Sequence, residues 1–227
     1  MWCISAIRVT QKCYLHKDGQ RCEIAVSRLE KDLGIWVLDN LKWSIQCSKA
    51  AEKAMSVLGM IKRIFPYLNR EGFILLYNTY VRAHLEYCVQ VWNPYRKEDI
   101  LCLEKVQRWA TKMIYELKQL GYDKRLHRLG LYTLQYRRRG DLIETYKMLT
   151  GRENINASVF IKRPTCASLR GNSMKLYKPG FKKTCRQNFF SQRVVDDWNS
   201  LPDEIVTAES LNSFKKRLNE HCLRNGH

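Results

Sequence analysis

His84 and Cys88, near the middle of the chain, have the residue types and the spacing of a small chemical site. They are four residues apart in a segment of helical pattern, so both side chains fall on one face and could chelate a metal ion together. A complete site needs more ligands, or a base and an orienting group for a nucleophile, and the neighbouring predicted helices offer only Cys102. Because free cysteine and histidine commonly line helix interfaces, we interpret the pair as part of a packing stripe.

A second group of potential ligands, Cys3, Cys13, His16 and Cys22, lies near the N-terminus. The surrounding segment is typical of a β-hairpin that turns at Asp18-Gly19. In such a hairpin Cys13 and Cys22 project from one face and His16 projects from the other, which disfavours a tetrahedral zinc site. The nine cysteines include no C-x-x-C pair, so we expect reduced thiols in a cytosolic or nuclear setting.

Signatures of catalysis are missing from the sequence, which has no glycine-rich phosphate loop, no H-E-x-x-H and no nucleophile elbow. Asp196 and Asp197 follow apolar residues, as the paired aspartates of a polymerase do, but they fall in a segment of helical pattern. We interpret them as surface charge on a helix. The sequence therefore predicts no metal site, no cofactor and no enzyme activity.

The charge of the chain indicates a polyanionic partner. Lys and Arg number 40 against 22 Asp and Glu, a formal net charge of +18. Nucleic acid is the commonest partner of so basic a chain, and an anionic membrane surface is the alternative. Nothing resembles a secretory signal or a bilayer-spanning run, so we expect an intracellular protein, cytoplasmic or nuclear, without a membrane span.

The elements that would position these residues are strands in the first forty residues and helices after them. Ser44 is the expected N-cap of a helix that ends before Pro66. The predicted inward residues of that helix are Cys47, Ala51, Ala54, Leu58, Ile61 and Phe65. A second helix is expected from about Arg70 to Trp92. Its predicted buried stripe consists of Tyr77, Tyr80, His84, Cys88 and Val91, flanked by Val81 and Trp92.

Further helices are expected along the rest of the chain. One begins near Lys97, and its predicted inward residues are Ile100, Leu103, Val106, Ala110 and Met113. Others cover 123–129, 134–151 with Gly151 as the stop, 191–206, and 208–221, the last capped by Ser210 or an adjacent residue. The pattern predicts a mainly α fold with three parts. These are a strand remnant with a small β-hairpin (1–42), a bundle-like helical region (43–151) and a basic, loop-rich region with closing helices (152–227).

The third part contains the best evidence for function, because no acidic residue occurs from Asn154 to Val195. Lysines and arginines neutralise phosphates, and the aromatic residues interleaved with them can stack on unpaired bases. These aromatic residues are Tyr177, Phe181, Phe189 and Phe190. A solvated basic loop with core aromatics explains the same pattern equally well.

Three consecutive arginines, Arg137 to Arg139, add a second basic focus. On a helix they spread over most of the circumference, so at least one of them is free to pair with Asp141 or Glu144 instead. We predict phosphate contacts by the arginine triplet and by the cations of the acid-free segment. The predicted nucleic-acid-binding residues are Arg137, Arg138, Arg139, Lys162, Arg163, Lys182, Lys183 and Arg186.

Several stretches, taken in order, resemble the C-terminal part of LINE-type, jockey-like non-LTR retrotransposon reverse transcriptases. The resemblance covers nearly everything from Lys12 to Leu218. The stretches are "EKDLGIWVLDNLKWSIQCSKAAEKAMSVLGMIKR", "FILLYNTYVRAHLEYCVQVWNPY", "LEKVQRWATKMI", "LHRLGLYTLQYRRRGDLIETYKMLTG" and "RQNFFSQRVVDDWNSLPDEIVTAESLNSFKKRL". In that family the region follows the catalytic palm, continues into a helical thumb-like region and ends in a basic segment.

The resemblance implies a truncated RNA-directed DNA polymerase fragment that binds RNA, RNA–DNA hybrid or DNA independently of sequence. The family's polymerase aspartates lie in an upstream [FY]-x-D-D hairpin, which nothing here matches, so the resemblance implies no catalysis, no cofactor and no small-molecule substrate. Ala83 stands where the family usually has Pro, and Trp109 where a small or basic residue is usual. These departures favour the hypothesis of a truncated genomic copy. The alternative is an inert, partly folded remnant with no specific binding.

Overall fold

The computed structural model describes residues 14–17, 20–134, 138–164 and 172–224. The strands β1 to β4 lie at the N-terminal end and cover Tyr14–Lys17, Gln20–Glu23, Leu29–Asp32 and Ile35–Leu38. They form two antiparallel pairs, β1 with β2 and β3 with β4. Tyr14 is opposite Glu23 in the first pair, so the predicted hairpin is confirmed. Its turn at Asp18-Gly19, together with Cys3 and Cys13, lies outside the described residues.

Helices make up most of the rest, so the predicted mainly α fold is confirmed. The helices α1 to α11 cover Ser44–Ile64, Arg70–Leu76, Ala83–Glu86, Val89–Trp92, Lys97–Ala110, Tyr122–Leu129, Arg138–Leu149, Thr184–Gln187, Phe190–Asn199, Asp203–Val206 and Leu211–Arg224. A π-helical turn, Tyr77–Arg82, joins α2 to α3, and short 3-10 turns lie at Tyr115–Leu117 and Ala157–Val159. No helix in the described part of the chain combines the length and the apolar character needed to cross a bilayer.

Buried apolar side chains form two clusters, each contiguous in sequence. The first cluster extends from Ile35 to Leu134 and has α1 packed against α5 and against the segment from the π turn to α3. The second cluster extends from Leu142 to Cys222 and has α7 packed against α9 and α11. The domain boundary at residue 151 stays a prediction, although α7, which we assigned to the middle region, contributes its buried side chains to the second cluster.

Helix α1 buries most of its predicted face: Cys47, Ala51, Ala54, Leu58 and Ile61. The prediction of Ser44 as its N-cap is wrong, because Trp43 occupies that position and makes no side-chain capping bond. The Ser44 hydroxyl instead donates to a carboxylate oxygen of Asp99, in the first turn of α5, at 3.1 Å. The prediction that Phe65 is buried is also wrong, since the helix ends at Ile64 and Phe65 is 42% exposed.

The second predicted helix is interrupted twice. The π turn is wider than an α turn and shifts the buried face by one residue, so Val81 is buried while Tyr80 is exposed. Cys88 then adopts a left-handed conformation with φ +53°, which separates α3 from α4 and leaves Val91 exposed. The predicted stripe is therefore right at Tyr77 and wrong at Tyr80 and Val91.

The later helices follow local rules more closely. Gly151 has a positive φ of 66° just after α7, and the Ser210 hydroxyl accepts a hydrogen bond from the Ser213 N–H at 3.1 Å, so both helix-end predictions are confirmed. In α5 the predicted inward residues Leu103, Val106 and Ala110 are buried, while Ile100 and Met113 are half-buried. The expected helix at 191–206 is two helices, because Pro202 separates α9 from α10.

Candidate nucleic-acid interface

Part of the acid-free segment, residues 172–178, is held against α9 by side chains of that helix. The Asn199 side chain both donates to and accepts from the Leu176 backbone, each at 2.9 Å, as a neighbouring strand would. The Trp198 indole N–H donates to the Met174 carbonyl at 2.8 Å. In return, the Asn172 amide donates to the Trp198 carbonyl at 3.0 Å. The segment therefore has a fixed backbone although it contains no regular element.

A backbone bridge attaches two of the predicted binding residues to this segment. The Tyr177 N–H donates to the Lys162 carbonyl at 2.8 Å in an antiparallel arrangement. Lys162 and Arg163 are exposed. Next to them, Lys178 pairs with Asp196 on α9. The structure thus brings Lys162 and Arg163 onto the segment that α9 holds in place.

Lys182, Lys183 and Arg186 lie at and within the short helix α8, which contacts α9. All three side chains are exposed, and the Arg186 guanidinium lies 5.6 Å from the centre of the Phe189 ring. We call Lys162, Arg163, Lys182, Lys183 and Arg186 the basic loop surface. Within the described ranges, no carboxylate forms a salt bridge with any member of this set.

The arginine triplet lies elsewhere. Arg137 is outside the described residues. Arg138 opens α7, with one terminal nitrogen 3.2 Å from both carboxylate oxygens of Asp197. Arg139 donates from Nε to the Asn219 side chain at 2.7 Å, and burial, together with the neighbouring Arg82, lowers the pKa of Arg139.

Arg138 and Arg139 line a cavity of about 710 Å³, which we call the inter-cluster cleft. Its lining includes residues of both apolar clusters, Leu134 of the first and Leu142 and Leu201 of the second. No member of the basic loop surface lines it. The predicted binding residues of the described chain therefore divide between an exposed surface and a cleft.

Arg193 is the residue whose role the sequence did not indicate, because we counted it among the cations of the acid-free segment. It is buried and forms a two-pronged pair with buried Asp141, at 2.8 and 2.9 Å. It also donates to the Val89 and Gln90 carbonyls of α4, at 3.1 and 2.9 Å. Burial raises the pKa of the Asp141 carboxyl, and the hydrogen bonds from Arg193 oppose that rise. Arg193 thus joins α9, α7 and α4.

The pairing expected for the arginine triplet is absent from the two members that the structure describes. Neither Arg138 nor Arg139 pairs with Asp141, and Glu144 pairs with Lys147 at 2.7 Å. The signal that could have indicated the role of Arg193 is its position between Gln192 and Val194, two buried residues of α9.

The other residues that could do chemistry are either half-buried or paired with a cation. His84 and Cys88 are half-buried, and burial lowers the pKa of His84 and raises that of Cys88. Asp196 and Asp197 lie on α9 and pair with Lys178 and Arg138. Among the residues that the structure describes, no three His, Cys, Asp or Glu side chains are grouped so that they could hold a metal ion.

Comparison with known proteins does not assign this chain to a family. No protein-family model matches the chain, and no solved structure matches it. An uncharacterized protein of Caenorhabditis elegans is 26% identical over 127 residues, which make up 55% of this chain. The chain covers 64% of the length of that relative, so the similarity extends over part of each protein.

Proposed function

We propose that this chain binds the sugar–phosphate backbone of nucleic acid, independently of sequence and without catalysis of its own. The observation that carries the proposal is the basic loop surface, whose cations are exposed and have no carboxylate partner in the described chain. Lys and Arg side chains in that state can neutralise phosphates without first breaking an ion pair. Helix α9 holds the Leu176 backbone, and the adjacent Tyr177 N–H bonds to the Lys162 carbonyl. The backbone of one of these cations is therefore fixed before binding, which reduces the entropy lost.

The aromatic residues of the segment favour the same function over a merely solvated loop. Tyr177 is 52% exposed, Phe181 40% and Phe189 44%, so three of the four are available to stack on unpaired bases. Phe190 is partly buried and packs against the second cluster. Core packing therefore explains one of these rings and leaves the other three without an interior role.

The resemblance to retrotransposon reverse transcriptases supports an RNA–DNA hybrid as the duplex to test. In such an enzyme a thumb region grips the template–primer duplex through its backbone. The proposal for this chain takes over that grip and not the polymerase reaction. Protein recognition of such a duplex depends mostly on its shape and backbone, which fits binding without sequence preference.

The test is binding of the purified chain to an RNA–DNA hybrid at several salt concentrations. The triple variant Lys182→Gln/Lys183→Gln/Arg186→Gln removes three cations of the basic loop surface. We expect it to reduce the slope of log affinity against log salt by roughly three, about one for each phosphate contact. The matched control is Lys105→Gln/Lys118→Gln/Arg128→Gln, which removes the same charge from exposed positions in the region that contains the first cluster.

Two outcomes would contradict the proposal. Equal losses in the two triple variants would mean that net charge alone attracts the duplex and that the basic loop surface is not the site. A folded wild-type chain that does not bind the hybrid at low salt would favour the alternative of an inert remnant.

A further inference from the structure

The inter-cluster cleft is lined by both cationic and apolar residues. Its cationic residues are Lys97, at the first turn of α5, Arg138 and Arg139, at the first turn of α7, and Arg193, which pairs with Asp141. The apolar residues that line it are Pro94, Tyr95, Ile100, Leu134, Leu142 and Leu201. A volume of about 710 Å³ lies within the range of small-molecule sites, roughly 300–1,000 Å³. The cleft therefore has room for a ligand with one anionic and one flat, apolar part.

The charge in the cleft is not balanced by the protein. Asp197 is the one carboxylate among the described lining residues, and it is shared with the exposed side chain of Arg138. Lys97 and Arg139 have no carboxylate in hydrogen-bonding contact within the described chain. Arg139 is partly buried, and Glu86, which pairs with Arg82, favours its charge only through longer-range attraction. A partly buried guanidinium without an anion is unfavourable, so this site would gain from an anionic ligand.

The first turn of α7 adds to this preference. The first N–H groups of a helix have no partner within the helix, and the helix dipole places positive partial charge there. Arg138, Arg139 and Leu142, all from the beginning of this twelve-residue helix, line the cleft. Phosphate groups bind readily at such helix ends, and arginine fits their oxygens with a two-pronged contact.

We propose that the inter-cluster cleft binds a nucleoside phosphate, with the phosphate at Lys97, Arg138 and Arg139 and the base against Tyr95 and Pro94. The same chemistry is offered by a free nucleotide and by the phosphorylated end of a nucleic acid strand. The inference goes beyond the proposed function, which rests on the basic loop surface and not on the residues of this cleft. It departs from the expectation that the chain has no small-molecule partner.

The test is calorimetric titration of the full chain with ATP, and with adenosine as the ligand that lacks phosphate. The variants Lys97→Gln and Arg138→Gln alter exposed side chains, so both are expected to fold. Each should weaken ATP binding roughly tenfold or more, the usual effect of losing a charge-assisted hydrogen bond. The matched controls Lys105→Gln, also on α5, and Arg128→Gln should leave the ATP affinity unchanged.

A second pair of probes distinguishes the two sources of the phosphate. A tetranucleotide with a 5′-phosphate that binds more tightly than ATP would identify a strand end as the ligand, and tighter binding of ATP would identify a free nucleotide. The 5′-hydroxyl tetranucleotide is the control, and we expect it to bind more weakly than its phosphorylated form.

Three results would overturn the cleft proposal. They are equal affinity for adenosine and ATP, equal losses in the control and cleft variants, and no binding of ATP or the phosphorylated tetranucleotide at about 1 mM by a folded chain. The duplex experiment changes Lys182, Lys183 and Arg186, whereas this one changes Lys97 and Arg138. Either proposal can therefore fail while the other holds.

Discussion

Glu104 in the first cluster and Arg193 in the second are both buried charges, but their partners are in different places. Glu104 accepts hydrogen bonds from the Tyr122 hydroxyl and from the Leu134 N–H, both within the first cluster. Arg193 pairs with Asp141 in its own cluster and also donates to carbonyls of α4 in the first. Glu104 thus has its hydrogen-bond partners within the first cluster, whereas Arg193 also connects the second cluster to the first through hydrogen bonds to α4.

The two regions also differ in where their polar side chains lie. The exposed cations of the acid-free segment belong to the second region, where α9 holds the Leu176 backbone and the Tyr177 N–H bonds to the Lys162 carbonyl. In the first region, a neighbouring residue, Gln107, is fully buried and joins the Tyr77 hydroxyl to the Tyr132 carbonyl, at 2.6 and 2.7 Å. Gln107 thus makes its hydrogen bonds in the interior of the first region, whereas the cations of the basic loop surface lie at the surface of the second.

The substitution Arg193→Met is the test of this difference with the largest expected effect. It leaves Asp141 buried without its cation and removes the contact with α4, so we expect a loss of about 3–5 kcal/mol in the free energy of unfolding. Urea denaturation measures the change. The double variant Asp141→Leu/Arg193→Met should lose less, because no charge stays uncompensated. A loss below about 1 kcal/mol in the single variant would show that the buried pair does not hold the regions together.

The matching test in the first cluster is Tyr122→Phe. Burial and the hydrogen bond to Glu104 raise the pKa of Tyr122 above its usual range, so the hydroxyl keeps its proton and donates to the carboxylate. Removing that donor should reduce the free energy of unfolding by about 1–3 kcal/mol. Tyr115→Phe is the control, since that side chain is 87% exposed. Equal effects of the two substitutions would contradict an internal role for the Tyr122 hydroxyl.

The smallest expected effect concerns the attachment of the acid-free segment to α10. The Ser173 N–H and hydroxyl both donate to one carboxylate oxygen of Asp203, at 2.7 Å, and these hydrogen bonds lower the pKa of Asp203. Because its folded pKa lies below its unfolded value, this contact stabilises the fold above the unfolded pKa. The contribution is lost as the pH falls through the folded pKa.

An NMR titration of the Asp203 carboxyl group checks this expectation. The measured pKa should lie below the ordinary value of about 3.9, and Ser173→Ala should move it back toward that value. A pKa at or above the ordinary value in the unmodified chain would show that the contact with Ser173 does not persist in solution.

Local rules predicted part of this structure, and tertiary contacts decided the rest. Gly151 and Ser210 end and cap helices as expected because those roles depend on a few adjacent residues. The Ser44 cap failed because the hydroxyl bonds to a residue of another helix. The π turn at Tyr77–Arg82 shifted a buried face that had been inferred from regular α-helical spacing.

The candidate sites show the same division. The absence of acidic residues from 154–195 is visible in the sequence, and it indicated the exposed cations of the basic loop surface. The pairing of Arg193 with Asp141 was not visible, because the two residues come from helices that meet only in the folded chain. Nor could charge alone separate Arg138 and Arg139 from the other cations, since their position depends on a cleft between the two clusters.

The contiguity of the two clusters in sequence has a consequence for synthesis on the ribosome. Every buried member of the first cluster precedes Leu142, so that cluster can form before any core residue of the second has been made. Arg193, which binds the α4 carbonyls, is made on the order of 3 to 12 seconds after Leu134 at ordinary elongation rates. The chain is thus suited to fold vectorially, with the attachment of the second region as the closing step.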